Sequence, residues 1–184
     1  MKLTKPDSTN SLHRDALSLR QSSLARYDFD APATRFQMRE WVDALARASR
    51  TPIAWISFGD RTRHQVLASV GFVRETLEAG AGTVVRAIET HGLLAIDDVC
   101  NFELCERAPL VVQAPCGRSF IGMTLRDAKG VAIGTMAAMD VVPRSFAKNQ
   151  LDVLRAFAQQ VVAHLELQSA LVSVAQPAAE SASS

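Results

Sequence analysis

The cysteines are the residues of this chain best suited to chemistry. Cys100, Cys105 and Cys116 lie in one short stretch, without the paired CxxC spacing of a structural zinc site. A thiolate beside a second, resolving thiol would allow disulfide or sulfenate formation. Three interpretations therefore stay open: incidental or buried thiols, a redox role, and metal ligation. The spacing favours the first, and we assign no metal site and no catalytic residue.

Histidines and acidic residues offer weaker signals. The four histidines (His13, His64, His91 and His164) are scattered, and none has a second ligand nearby in the sequence. Asp97 and Asp98 are adjacent carboxylates that could act in acid–base chemistry or hold a cation. Neighbouring aspartates after a strand more often bond local backbone amides, and we favour that role. Asp140, before Pro143, is typical of a turn.

Composition limits the class of protein. The chain has 184 residues, a net charge of +1 and 48% hydrophobic residues. This net charge is too small for the basic surface that is typical of a nucleic-acid-binding domain. No run of apolar residues is long enough to cross a bilayer. The N-terminus has no apolar stretch typical of a signal peptide, and three clustered cysteines do not make a disulfide framework. We expect a cytoplasmic protein that binds neither nucleic acid nor membrane.

The pattern of apolar residues predicts a single domain over residues 12–172, between disordered tails at 1–11 and 173–184. After Pro32, Thr34 and Gln37 have the spacing of a capping box. Asp127–Gly130 is a four-residue link that predicts a β-hairpin. This order of elements favours an α+β domain with an antiparallel sheet. The predicted helices cover 12–27, 34–49, 83–91 and 148–172, and the predicted strands 53–58, 64–70, 93–96, 118–126 and 131–139.

The last helix carries apolar residues at heptad spacing, which predicts a seam for pairing with a second copy. We expect a homodimer through these positions, which are Leu151, Leu154, Ala158, Val161, Leu165 and Val172.

Four segments, in order, resemble the GAF domain family. They are Pro52–Phe58 with Asp60 and Gln65, Gly71-Phe72, Arg118–Leu125, and Gly134–Asp140 with Pro143-Arg144. The resemblance runs from about residue 24 to 168. It implies an antiparallel sheet of five or six strands. Terminal helices would cover one face, and short helices and loops would form a ligand pocket on the other.

The resemblance also implies a function. Family members of this kind bind small molecules and pass the signal through their terminal helices, often as dimers and often to a signalling partner. We expect this chain to be such a bacterial-type regulatory module. The sequence identifies neither its ligand nor any cofactor. Asp98 and Arg118 would be the polar anchors of the pocket. The expected ligand-binding residues are Phe58, Val84, Ile88, Asp98, Phe102, Cys105, Arg118, Ser119, Ile121 and Met136.

Two alternatives remain. The enzymatic branch of the family, the free methionine-(R)-sulfoxide reductases, uses cysteines around the pocket, one of them where Val84 and Val85 stand here. Without that thiol we expect no enzyme, although a thiol-based redox sensor stays open. Met123, Met136 and Met139 could instead fill the pocket, which would leave a ligand-free dimerisation adaptor.

Overall fold

A computed structural model describes residues 8–59, 64–72, 88–101, 111 and 116–175. Three long helices and five strands occur in this part of the chain, together with a 3₁₀ turn at Val99–Asn101 and a helical segment at residues 88–91. The helices are α1 (Ser8–Leu24), α2 (Pro32–Ser49) and α3 (Lys148–Ala175). The strands are β1 (Ile53–Gly59), β2 (His64–Val70), β3 (Leu93–Ile96), β4 (Ser119–Arg126) and β5 (Ala132–Asp140).

The strands form one antiparallel sheet in the order β2-β1-β5-β4-β3. The predicted hairpin is confirmed, with Phe120 opposite Met139 and Gly122 opposite Ala137 across β4 and β5. Gly130 closes the connection with φ 78, a conformation that a glycine adopts without a Cβ clash. The predicted α+β fold class is confirmed as well.

The start of α2 differs from the prediction. The helix begins at Pro32, with Ala31 as an N-cap that makes no side-chain hydrogen bond. Pro32 suits the first turn because it lacks the N–H group that would be unsatisfied there. The predicted capping box is wrong, since the Thr34 hydroxyl donates 2.9 Å to Oε1 of Gln168 in α3. The side chain that the sequence assigns to a local cap therefore joins two helices.

Other element bounds move by a few residues. α1 already begins at Ser8, inside the segment expected to be a disordered tail, and ends at Leu24 rather than at residue 27. α3 continues to Ala175, beyond the predicted end at 172. Of the predicted helix 83–91, only residues 88–91 are described, and they are helical. Among the described residues, no helix is long and apolar enough to cross a membrane.

One face of the sheet carries α2 and α3. Here the sheet contributes Ala54, Ile56, Phe58, Ile121, Leu125, Ile133, Met136 and Ala138, and the helices contribute Met38, Val42, Leu45, Leu154, Ala158, Val161 and Leu165. We call this set the helix-side cluster. Its members recur at two-residue spacing along most of each strand and at helical spacing along α2 and α3, so each element has one apolar side turned to the same core.

The predicted dimer seam is corrected by this packing. Leu154, Ala158, Val161 and Leu165 are at most 3% exposed and lie inside the domain, against α2 and the sheet. Leu151 is half-buried against the same cluster. A single domain needs these residues for its own core, because they pack α3 onto β4 and against α2. Only Val172, 55% exposed, remains available to a partner.

Candidate functional site

The opposite face of the sheet carries a second apolar cluster, centred on Trp55. Its sheet residues alternate with those of the helix-side cluster along β1 and β4, because successive side chains of a strand point to opposite faces. We call this surface the Trp55 face. Its buried members are Ile53, Trp55, Val66, Ile88, Leu94, Ile96, Val99, Val111, Phe120, Ala137 and Met139, with Phe72 packed against them.

Trp55 is fully buried on this face. Its ring lies edge-on to Phe72, 5.8 Å between centroids, and 5.9 Å from the ring of Phe120. The indole Nε1 is shielded from water and has no hydrogen-bond partner in the described part of the chain. Buried indole N–H groups usually find an acceptor, and leaving one unpaired costs free energy. The Trp55 face therefore holds an unused hydrogen-bond donor in an otherwise apolar setting.

Two buried hydroxyls add a further polar feature. Ser57 and Thr135 are register partners on β1 and β5, and their oxygens lie 2.9 Å apart. Both residues are 0% exposed, and strand alternation places their side chains on the same face as Trp55. A hydroxyl can donate one hydrogen bond and accept two, so each of these two retains capacity for further hydrogen bonds.

Gly122 lets the helical segment at residues 88–91 approach the sheet closely. A Cβ on Gly122 would lie 2.9 Å from Cδ1 of Ile88 and 2.4 Å from Cζ of Phe120. The hydroxyl of Thr124, also on β4, donates a hydrogen bond of 3.2 Å to the backbone oxygen of Ile88 and so holds the same segment against the sheet. Ile88 is thus held directly against the Trp55 face.

An ion pair lies at the edge of the sheet where β3 ends and β4 begins. Nε and Nη2 of Arg118 donate to the two carboxylate oxygens of Asp98, at 3.1 and 2.8 Å. The hydrogen bonds from Arg118 lower the pKa of Asp98 below its ordinary value. The backbone N–H of Cys100 also donates to Asp98, at 3.1 Å. The two residues expected to anchor a ligand therefore neutralise one another.

The remaining acidic residues of this region bond protein groups too. Asp97 accepts a hydrogen bond from the hydroxyl of Ser145, 2.6 Å away. Asp140 accepts from the backbone N–H of Val141 and pairs with Nε of Arg144, both at 2.7 Å. Arg144 in turn donates to the backbone oxygen of Ser49 at the end of α2. These contacts hold the connection from β5 to α3 against the domain.

The structure separates the residues predicted to bind a ligand. Only Ile88 lies within the Trp55 face. Phe58, Ile121 and Met136 belong to the helix-side cluster, which corrects their placement: their strand positions point them towards the helices. Ser119 is buried, and its hydroxyl donates 2.9 Å to the backbone oxygen of Val142. Val84, Phe102 and Cys105 lie outside the described residues.

Of the three redox candidates, Cys100 and Cys116 are free and exposed. Both lie in the chain between Asp98 and Arg118, each two residues from one member of that ion pair, and Cys116 has a left-handed backbone with φ 57. Cys105 lies outside the described residues. Nowhere in the described ranges do three His, Cys, Asp or Glu side chains come together as a metal site would require.

Sequence reasoning missed a polar network on the helix side. Glu166 of α3 accepts hydrogen bonds from the Tyr27 hydroxyl (2.7 Å), from Arg26 and from the backbone N–H of Ala128 (3.0 Å). Burial and the bond to Glu166 raise the pKa of Tyr27. Burial also tends to raise the pKa of Glu166, but the donated hydrogen bonds outweigh it and lower that pKa. The network joins α3 to the α1–α2 connection and to the hairpin.

Asp127 completes this network at the hairpin turn. It accepts hydrogen bonds from the Ser23 hydroxyl of α1 (2.7 Å) and from the backbone N–H groups of Lys129 and Val131. Ser23 and Asp127 are 104 positions apart in the sequence, so no local pattern could have indicated their contact.

Comparison with known proteins now identifies the fold. The sequence model of the GAF domain matches residues 37–165. The chain belongs to the GAF domain family. This confirms the resemblance found in the sequence motifs. No curated protein matches the chain.

Solved structures agree with the family assignment. The GAF domain of an Acinetobacter phosphoenolpyruvate-protein phosphotransferase is similar, with 14% identity and a TM-score of 0.60 over 88% of this chain and 98% of that one. GAF3 from Slr1393 of Synechocystis sp. PCC6803, in its photoproduct state, has 17% identity and a TM-score of 0.60 over 78% and 99%.

An enzyme with the same fold is also similar. The type II free methionine-R-sulfoxide reductase from Thermoplasma acidophilum has 18% identity and a TM-score of 0.60 over 73% of this chain and 93% of that one. At such low identity, these three structures establish the fold of this GAF domain and nothing further. GAF domains are commonly sensory or regulatory, and the fold also carries reductases.

Proposed function

We propose that this GAF domain is a sensory module that binds a small molecule at the Trp55 face and signals through its terminal helices. The observation that carries the proposal is the buried indole N–H of Trp55, which has no acceptor among the described residues. A ligand with a carbonyl or ring-nitrogen acceptor would satisfy this donor. The apolar surroundings favour a largely hydrophobic ligand with a few polar groups.

The central strands offer a route from ligand to helices. Ile53 and Trp55 of β1 lie on the Trp55 face, whereas Ala54 and Ile56 of the same strand contact the helix-side cluster. A ligand can shift the packing of the helices only if it binds two arrangements of the domain with different affinity. A displacement of β1 would move both clusters together. We propose a downstream signalling partner that reads the resulting position of α3.

A pair of tryptophan variants tests the ligand site. Trp55→Phe removes the N–H group and keeps most of the ring, and Trp41→Phe is the matched control, since Trp41 lies on α2 against His164. The full chain is screened by thermal shift against nucleotides, amino acids and other metabolites. We expect at least one compound to raise the melting temperature of the wild type and of Trp41→Phe, but not that of Trp55→Phe. If no compound does so, the ligand-free adaptor becomes the better proposal.

We also propose a homodimer, through a different face of α3 from the predicted one. Exposed residues follow one another at three- and four-residue steps along this helix: Ala156, Gln160, Ala163, Leu167, Ala170 and Val174. None is charged, and Leu167 and Val174 are 60% and 79% exposed. The spacing is that of a heptad seam, so the same stripe of a second copy can pack against it.

The oligomeric state tests this seam. Leu167→Glu places a charge in the stripe, and Arg155→Gln, on another face of α3, is the control. We expect sedimentation to give a dimer for the wild type and Arg155→Gln and a monomer for Leu167→Glu. A dimer of unchanged strength in Leu167→Glu would refute the seam.

A thiol-based sensor is the second candidate. The exposed thiols of Cys100 and Cys116 favour it, because oxidation requires access to solvent. Free thiols of this kind suit a reducing cytoplasm, where we propose that the protein acts. Mass spectrometry after peroxide treatment decides between the candidates: a disulfide or sulfenate at Cys100, Cys105 or Cys116 supports the thiol sensor, and unmodified cysteines exclude it. Methionine sulfoxide reduction, assayed directly, would decide whether the domain is an enzyme.

A further inference from the structure

A buried arginine lines a cleft that lies outside the Trp55 face. Arg20 of α1 is 7% exposed, and its Nη1 lies 2.6 Å from Oε1 of Glu89. Its Nε and Nη2 are shielded from water and have no hydrogen-bond partner in the described ranges. A buried guanidinium with two unused donors is unusual, because arginine is almost never buried without full pairing.

The cleft beside Arg20 lies between α1 and the β4–β5 hairpin and has a volume of about 350 Å³. Arg20, Glu89 and Arg126 are its charged lining residues. Arg126 is exposed, and its Nη1 donates 3.0 Å to the backbone oxygen of Gly130. With two guanidinium groups and one carboxylate, the lining carries an excess of positive charge. None of the buried members of the Trp55 face lines this cleft.

We propose that this cleft is a binding site for a small oxyanion, a phosphate or carboxylate group, held by Arg20 and Arg126. A guanidinium group presents paired N–H donors in the planar arrangement that carboxylate and phosphate oxygens accept. Nε and Nη2 of Arg20 form one such pair, and Glu89 faces the remaining nitrogen, Nη1. The bound oxyanion would supply the acceptors that these two atoms lack.

Binding requires a small rearrangement, because Nε and Nη2 are covered in the free domain. The side chain of Arg20 would rotate towards the cleft, or α1 would shift along the hairpin. Ser23 of α1 bonds Asp127 of the same hairpin, so a shift of α1 would reach the network around Glu166. The site is thus separate from the one proposed for Trp55 and stands or falls independently of it.

The test uses the full chain and two probes, inorganic phosphate and acetate, each against chloride at equal ionic strength and pH. We expect one or both probes to raise the melting temperature and to shift the Nε–Hε resonance of Arg20 in NMR titrations. A response to phosphate alone assigns the site to phosphoryl groups, and a response to acetate alone assigns it to carboxylates. No response to either probe would overturn the proposal.

Variants locate the effect. Arg20→Gln should weaken binding at least about tenfold, since it removes the charge-assisted hydrogen bonds. Arg126→Gln, at an exposed position, should fold normally and weaken binding several-fold, so it serves if Arg20→Gln does not fold. Arg155→Gln, at an exposed position of α3 that does not line the cleft, should leave binding unchanged. Binding that persists undiminished in Arg126→Gln, without a shift of the Arg20 resonance, would place the anion elsewhere and refute the site.

Discussion

The polar network around Glu166 on the helix side of the sheet and the indole of Trp55 on the opposite side differ in how their polar groups are satisfied. On the helix side, Tyr27, Glu166 and Asp127 form a closed network in which every named group has a partner. On the Trp55 face, the indole N–H has none among the described residues. Buried polar networks that are complete hold elements in one arrangement, whereas an unpaired buried donor carries a free-energy cost that an added acceptor would relieve. The contrast agrees with the proposed function, in which the helix side holds the domain together and the Trp55 face binds the ligand.

The largest expected effect tests the helix side. Leu154→Ala should lower the free energy of unfolding by about 2–5 kcal/mol, because this fully buried side chain packs between the sheet and α2. Leu167→Ala, on the exposed stripe of the same helix, should stay within about 0.5 kcal/mol. Urea denaturation at low protein concentration measures both. Equal losses would mean that α3 is held by its outer face.

Removal of one hydroxyl tests the polar network. Tyr27→Phe should cost about 1.5–3 kcal/mol, because the lost hydrogen bond ends on the charged carboxylate of Glu166. Thr34→Val removes a neutral hydrogen bond from α2 to Gln168 of the same helix α3, and should cost less, about 0.5–1.5 kcal/mol. Denaturant midpoints compare the two. A Tyr27→Phe variant as stable as the wild type would show that the network around Glu166 does not stabilise the domain.

A substitution on the Trp55 face measures how readily that face yields. Gly122→Ala places a methyl group against Phe120 and Ile88, and should cost about 1–3 kcal/mol if the packing is firm. Ala95→Ser, at an exposed position of β3, is the control and should change little. A cost below about 0.5 kcal/mol for Gly122→Ala would show a yielding face and would sharpen the contrast between the two sides.

The smallest effect is a dependence on pH. Burial lowers the pKa of His164, whose Nε2 has no partner in the described residues and whose ring lies 5.2 Å from that of Trp41. The unfolded chain therefore binds a proton more readily, and stability should fall as the pH drops below the ordinary pKa of 6.5. His164→Gln should show a weaker fall. Melting curves between about pH 7.5 and 5 measure the difference, and parallel curves would exclude His164 as the cause.

The sequence predicted the fold better than the site. Gly130 and the alternation of side chains in the strands beside it were sufficient to predict the β4–β5 hairpin, because the signals for turns and strands lie in neighbouring residues. Alternation also shows that a strand has two sides, but both sides of β1 and β4 are apolar here. Nothing in Phe58, Ile121 or Met136 labels the side that faces the helices. Their assignment to a pocket therefore had no physical basis in the residues themselves.

The long helix raised the same ambiguity. Leu154 and Leu165 repeat at heptad spacing, and so do Leu167 and Val174 on the outer stripe. Spacing alone does not show which stripe packs on the sheet and which packs on a partner, because either stripe of apolar side chains can pack against any apolar surface. Contacts such as Ser23–Asp127 and Tyr27–Glu166 join residues more than a hundred positions apart and leave no local trace.

Beyond Gln168, which accepts a hydrogen bond from Thr34, α3 continues to Ala175, an overhang of about 10 Å at 1.5 Å per residue. Along such an overhang, the direction of each side chain is a matter of angular phase, about 100° for every residue. One residue inserted after Leu165 would turn the outer stripe by that angle and point it away from its former neighbour. The orientation of anything that binds the end of α3 would therefore depend on the number of residues in the helix as much as on which residues they are.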